Sequence, residues 1–85
     1  MKVTILYFAS LREALGIDRE TVELPVQVQT AAQLREWLIG RGASWATQFA
    51  PGRAVRVAIA RQMAQPQTPL TDGAEVAFFP PVTGG

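Results

Sequence analysis

The stretch Asp72-Gly73-Ala74-Glu75-Val76-Ala77-Phe78-Phe79-Pro80-Pro81-Val82-Thr83-Gly84-Gly85 holds a turn, a strand and a tail, and the rest of the chain must be arranged to receive that strand. Asp72-Gly73 is a turn dipeptide, and Glu75 to Phe79 is an apolar, aromatic run with the composition of a buried strand. Pro80-Pro81 ends the ladder: two φ angles are fixed, two backbone donors are lost and Phe79 is biased toward extended geometry. The chain therefore leaves the sheet stretched out, and the tail from Pro80 to Gly85 reaches at most about 20 Å from the body. Gly84-Gly85 lacks Cβ atoms, so its peptide units pass a constriction that stops any side chain, and the group it presents is a terminal carboxylate. Chain ends are often small and frayed. A strand feeding a prolyl stiffener feeding two glycines is better suited to insertion, because stiffening lowers the ordering cost. We expect residues 80–85 to enter a partner's pocket.

The segments upstream supply the neighbours of this strand. Lys2 to Phe8 is apolar nearly throughout and rich in β-branched and aromatic residues, as expected of a central strand covered on both faces. Ser10 is placed to cap a short helix over Leu11 to Leu15, which Gly16 ends. Asp18 to Leu24 reads as a second strand stopped by Pro25. Thr30-Ala31-Ala32-Gln33 has the spacing of a capping box and opens the main helix. Ala31, Leu34, Leu38 and either Trp37 or Ile39 share one face of it, Arg35, Glu36 and Arg41 turn outward or to its flanks, and Gly40 or Gly42 ends it.

Ser44 to Phe49 suits a second short helical turn. Ala54 to Ala60 alternates, with Val55, Val57 and Ile59 on one side and Arg56 and small alanines on the other. A turn at Arg61-Gln62 and an edge strand over Met63-Ala64-Gln65 precede Pro66. Trp37 and Trp45 invite a ligand-stacking role, but large aromatics at such spacing more often pack the core or its edge, and we assign both to structure.

Composition narrows the function. The 85 residues form one small domain, and a net charge of +1 scattered singly along the chain gives no basic stripe for nucleic acid. Without Cys or His there is no disulfide framework, thiol nucleophile, histidine base or ordinary zinc site, so any sulfur chemistry must use the backbone terminus. No apolar run approaches the roughly 20 residues that span a bilayer. No membrane partner is expected, and cytoplasmic residence is the default. The chain lacks a phosphate-binding loop with which to activate its own carboxylate, so activation must come from another protein.

The ending Leu70-Thr71-Asp72-Gly73 through Phe78-Phe79-Pro80-Pro81-Val82-Thr83-Gly84-Gly85, with the opening Leu6-Tyr7-Phe8-Ala9 and Arg12-Glu13, resembles the small subunits of molybdopterin synthases, the ubiquitin-like sulfur carriers. That resemblance implies an α+β, β-grasp fold, a mixed sheet of about five strands curled over one main helix, with the last strand beside the first. Composition alone allows another α+β arrangement. It implies a domain over residues 1–79 and a free tail over 80–85. It also implies that Gly85 is adenylated by an E1-like enzyme that uses ATP, receives sulfur from a persulfide donor to become a thiocarboxylate, and delivers that sulfur inside the large subunit to a cyclic pyranopterin precursor. The chain would bind no cofactor of its own and would be the sulfur-donor subunit of a heterotetrameric transferase. A carrier for thiazole or another thiolation pathway, a ubiquitin-like protein modifier, and a non-catalytic binding module with an incidental tail are the alternatives.

Strand parity identifies a docking surface. Phe78 and Phe79 point to opposite faces, so with Val76 and Phe78 under the main helix, Ala77 and Phe79 face outward. Leu6 and Phe8 likewise oppose Val3, Ile5 and Tyr7. We therefore expect Phe8 and Phe79, joined by Met63 with its adaptable thioether near the sheet edge, to form an apolar patch for the partner; the resemblance implies that these positions lie at a subunit contact, with Arg12 as a charged contact at the rim. The competing expectation is that the segment from Ser44 to Gly52 covers these residues.

Overall fold

The computed structural model describes residues 1–81. The sheet is built outward from β1 (Lys2–Tyr7), whose alternate residues Val3, Ile5 and Tyr7 are at most 1% exposed. β1 pairs antiparallel with β2 (Arg19–Glu23) and parallel with β5 (Glu75–Phe79). On the far side of β5 lies β3 (Arg56–Ile59), antiparallel, followed by the short edge strand β4 (Gln62–Met63). The order is β2-β1-β5-β3-β4, which places the last strand in the interior beside the first. This mixed sheet with its helices on one side is the β-grasp arrangement.

β1 is central, but it is not covered on both faces. Thr4 and Leu6 on its second face stay half-exposed, because the buried residues of all the helical segments gather in one core against Val3, Ile5, Tyr7, Val76 and Phe78. Helix α1 (Ala9–Leu15) also starts differently from the expectation at Ser10. Its N-cap is Phe8, in extended geometry and without a side-chain cap. The Phe8 N–H is still tied into the sheet, donating to Phe78 O at 3.2 Å, while Phe8 O already accepts the Leu11 N–H at 3.1 Å. Strand and helix thus share a residue, and the sheet bond overrides the capping preference of Ser10. Gly16 closes the helix with φ 76°, its N–H bonded to Arg12 O.

Helix α2 (Ala31–Ile39) has the expected capping box: Gln33 N donates to Thr30 Oγ1 at 3.2 Å and Thr30 N donates to Gln33 Oε1 at 3.1 Å. Two further amides of its first turn are satisfied by the loop before β5, Ala31 N to Thr68 O and Ala32 N to Pro66 O. Ala31, Leu34 and Leu38 are buried, both Trp37 and Ile39 are half-buried, and Gly40 is the C-cap. After α3 (Ala43–Gln48), Phe49 is fully buried against Phe78 and Tyr7, with ring centroids 5.1 and 6.4 Å away. Arg35 holds the segment that follows: Nε donates to Phe49 O, and Nη2 to both Ala50 O and Arg53 O, at 2.8–2.9 Å.

The turn between β3 and β4 lies one residue earlier than Arg61-Gln62. Ala60 and Arg61 form it, with φ of 50° and 68°, joining the pair Ile59 and Gln62. Positive φ at both turn positions matches the twist of the flanking strands, and the hairpin takes that geometry without the usual glycine. β4 accordingly begins at Gln62, and Ala64 lies beyond it, tied by its N–H to Val57 O.

Candidate functional site: the open face and the root of the tail

β5 alternates as parity requires. Val76 and Phe78 are buried, while Glu75, Ala77 and Phe79 are half-buried on the other face. The registers then define two rows across the open face. In the first, Leu6 of β1 lies opposite Ala77, Ala77 opposite Ala58, and Ala58 opposite Met63. In the second, Phe79 pairs with Arg56, and one further step of the β1–β5 register brings Phe8 alongside Phe79. Phe8 is 44% exposed and Met63 59%, and Phe79 packs outside the core cluster.

The segment from Ser44 to Gly52 does not cover this face. Trp45 and Phe49 lie on the helix side, 5.4 and 6.4 Å from the Tyr7 ring. Phe8, Met63 and Phe79 therefore belong to one apolar surface, to which the structure adds Leu6 and the small residues Ala58 and Ala77. These small side chains leave a shallow floor between the larger ones. Arg12 is exposed in the turn of α1 that starts at Phe8.

Phe79 is the last ladder residue, and Pro80 and Pro81 follow it without regular structure, both half-exposed. The tail root thus emerges between the β1–α1 junction at Phe8 and the start of β3 at Arg56. Val82, Thr83, Gly84 and Gly85 lie outside the described residues. A groove of about 510 Å3 lies on the helix side of the sheet edge, lined by Ala31, Ile39, Val55, Val57 and Pro66 among others; of the expected site residues only Met63 borders it.

A polar cluster that sequence reasoning missed braces the helix side of this end of the sheet. Tyr7 OH donates to Glu20 Oε2 at 2.7 Å, and Arg41 grips the same carboxylate through both terminal nitrogens. The Arg41 guanidinium lies over Trp45 and Trp37, 4.4 and 5.3 Å from the ring centroids. Burial opposes the charge on Glu20, but the hydrogen bonds from Arg41 and Tyr7 and the charge of Arg41 outweigh it, so its pKa is lowered. Burial, reinforced by the bond to Glu20, raises the Tyr7 phenol far above its ordinary value. Both tryptophans are structural here: they pack the core edge and hold the arginine that holds β2. Among the described residues no group of three or more carboxylates, histidines or cysteines is placed to hold a metal ion. No helix among them is long and apolar enough to cross a membrane.

Comparison with known proteins places this surface in context. A molybdopterin synthase sulfur carrier subunit of Escherichia coli K12 is 37% identical over 83 residues, 98% of this chain and 99% of that protein. A solved structure from Pyrococcus furiosus, a putative molybdopterin converting factor subunit 1, superimposes with a TM-score of 0.78 at 27% identity, covering 96% of this chain and 99% of the other. The fold is shared with small archaeal modifier protein 1 of Haloferax volcanii, TM-score 0.75 at 20% identity over 95% and 98% of the two chains. It is also shared with a chain of the complex of subunits 1 and 2 of the molybdopterin-converting factor of Helicobacter pylori, TM-score 0.66 at 22% identity over the full length of both. The ThiS family model matches residues 5–85, and on that match, together with the near full-length identity to the bacterial carrier subunit, the chain belongs to the ThiS family.

Proposed function

We propose that this protein is the sulfur-carrier subunit of a molybdopterin synthase, with sulfur carried as a thiocarboxylate on Gly85. The observation that carries this is the pairing of a rigid, last-in-sequence central strand with an immediate prolyl exit, beside an uncovered apolar face. The full-length likeness to carrier subunits selects this chemistry among those a ubiquitin-like fold supports.

In the proposed cycle an E1-like enzyme spends ATP to convert the Gly85 carboxylate to an acyl-adenylate, releasing pyrophosphate. The terminal sulfur of a donor persulfide displaces AMP, and a thiol cleaves the resulting acyl disulfide to leave the thiocarboxylate. Inside the large subunit this sulfur attacks the cyclic pyranopterin precursor, and hydrolysis of the acyl–sulfur bond returns the carboxylate. The chain binds no cofactor or metal of its own, ATP belongs to the activating enzyme, and the cycle runs in the cytoplasm. Pro80 and Pro81 hold the tail extended, and Val82, Thr83 and Gly84 thread it to the reaction centre. Phe8, Met63 and Phe79 dock the body, with Arg12 at the rim. Insertion supplies proximity, and exclusion of water protects the thiocarboxylate.

Intact-mass measurement tests the proposal. After incubation with ATP, the activating enzyme and a sulfur source, the parent chain gains one sulfur-for-oxygen exchange and supports molybdopterin formation with the large subunit. A chain lacking Gly85 does neither while unfolding at the parent's denaturant midpoint. Conjugates to lysine amines would establish a protein modifier instead, and an unchanged mass would refute both.

A further inference from the structure

The open face carries two arginines that the apolar patch does not account for. Arg19 on β2 lies opposite Leu6, at one end of the first row, and Arg56 on β3 lies opposite Phe79 in the second, where it also borders the groove at the sheet edge. Both are exposed, and their positions alternate with residues turned to the core: Glu20, bonded to Tyr7, follows Arg19, and Val55 and Val57 flank Arg56. Three strand spacings and a two-residue offset set their Cα atoms roughly 16 Å apart.

Three of the other five arginines have internal partners: Arg35 binds three carbonyls, Arg41 binds Glu20 and Arg53 binds Gln48. Among the described residues, neither Arg19 nor Arg56 is in an ion pair. The acidic residues at outward sheet positions, Glu75 on β5 and Glu23 on β2, lie at the far end of the strands. Toward the tail the outward sheet positions carry positive charge only.

We propose that Arg19 and Arg56 are charged specificity determinants of the docking face, and that the protein receiving the tail presents a carboxylate to each on either side of an apolar centre. This rests on the sulfur-carrier reading above and adds to it the chemistry of the partner's surface. The spacing is too wide for one phosphate group to bridge, and Leu6, Ala77 and Phe79 between the two cations suit a protein surface rather than a nucleotide. Rim charges of this kind act chiefly on association rate and on rejection of wrong partners.

The test measures binding of the full-length chain to the large subunit of its synthase, by kinetics and calorimetry, at roughly 0.05 M and 1 M salt. The variants are Arg56→Glu, Arg19→Glu, the control Arg61→Glu at the opposite end of β3, and Phe79→Ala, each first shown to melt as a folded domain. Each reversal at Arg19 or Arg56 is expected to weaken binding about tenfold or more at low salt, mainly through slower association. The deficit should close at 1 M, where the screening length is about 3 Å. Arg61→Glu should match the parent. Reversals that bind like the parent, or whose deficit persists at high salt, overturn the assignment of the arginines; if Phe79→Ala still weakens binding, the docking face itself stands. Parental binding by Phe79→Ala as well removes both.

Discussion

Replacing each of the adjacent phenylalanines of β5 by alanine should produce opposite phenotypes. Phe78 is 2% exposed and contacts Phe49 and Tyr7, with ring centroids 5.1 and 6.5 Å away. Phe78→Ala opens a cavity beside two aromatic rings that cannot both collapse into it, at a cost of about 3–5 kcal/mol. For a domain this size, total stability is about 4–13 kcal/mol, so the variant loses a large share of it and melts more than about 12 °C below the parent. Phe79 is half-exposed and packs outside the core, so Phe79→Ala leaves no internal void and should cost less than about 1 kcal/mol of stability. Its loss should appear instead in affinity for the large subunit, about 2 kcal/mol or roughly thirtyfold, as for an aromatic anchor at the centre of an interface. Urea unfolding and calorimetric titration read the two effects separately. Equal destabilisation by both substitutions, or parental affinity in Phe79→Ala, would refute the division of β5 into a structural and a docking face.

Gly84→Val should leave the unfolding midpoint unchanged and slow sulfur transfer at least tenfold, measured in single-turnover assays with preformed thiocarboxylate; a rate within a few-fold of the parent removes the narrow-passage argument. Arg35→Ala strips three carbonyls after α3 of their donor and should cost about 1–3 kcal/mol in denaturant unfolding, with Arg35→Lys recovering only part of it. Glu20 has its folded pKa lowered, so its contribution is present above the usual glutamate value of about 4.3 and is lost as pH falls through the folded value. Glu20→Gln should therefore be about 1–2 kcal/mol less stable than the parent at neutral pH and converge on it in acid, and a gap independent of pH would show that packing alone is at stake.

What could be read from the sequence was what the chain decides over a few residues. The capping box of α2 needs only Thr30 and Gln33, and both bonds are present. The division of β5 needs only parity and a terminating proline pair. The start of α1 was not legible, because the Phe8 amide is satisfied by Phe78, 70 residues away, and that tertiary bond outweighs the local preference of Ser10. The cluster of Tyr7, Glu20 and Arg41 was hidden for a similar reason. It joins β1, β2 and the end of α2, and only the pairing of Ile5 with Glu20 brings the carboxylate within reach of the phenol. The open face was legible in outline, since alternation in β1, β3 and β5 left Leu6, Ala58 and Phe79 without cover. Its charged margin required the register of β2 against β1 and of β3 against β5, which no single strand encodes.

The boundary at Phe79 separates two kinds of information. Beyond it lie Pro80, Pro81, Val82, Thr83, Gly84 and Gly85, a segment with no charged side chain and little shape by which one enzyme could tell this carrier from another. In the proposed cycle the tail has to fit both an adenylating site and a sulfur-accepting site and cannot be specialised for either, so on that reading discrimination has to come from the body. The proposed docking face lies next to the exit: Phe79 is at once the last residue of the ladder and an open-face residue paired with Arg56. A partner that recognises this surface therefore receives the tail in a fixed direction, because the same backbone that positions Phe79 sets the course of Pro80. Moving the docking residues to the distal end of the sheet, near Lys2 and Glu75, would preserve affinity in principle and lose that alignment. A chain re-engineered so should bind the large subunit and transfer sulfur slowly, which single-turnover kinetics at saturating partner would reveal; full-speed transfer would show that the tail finds its site without guidance from the face.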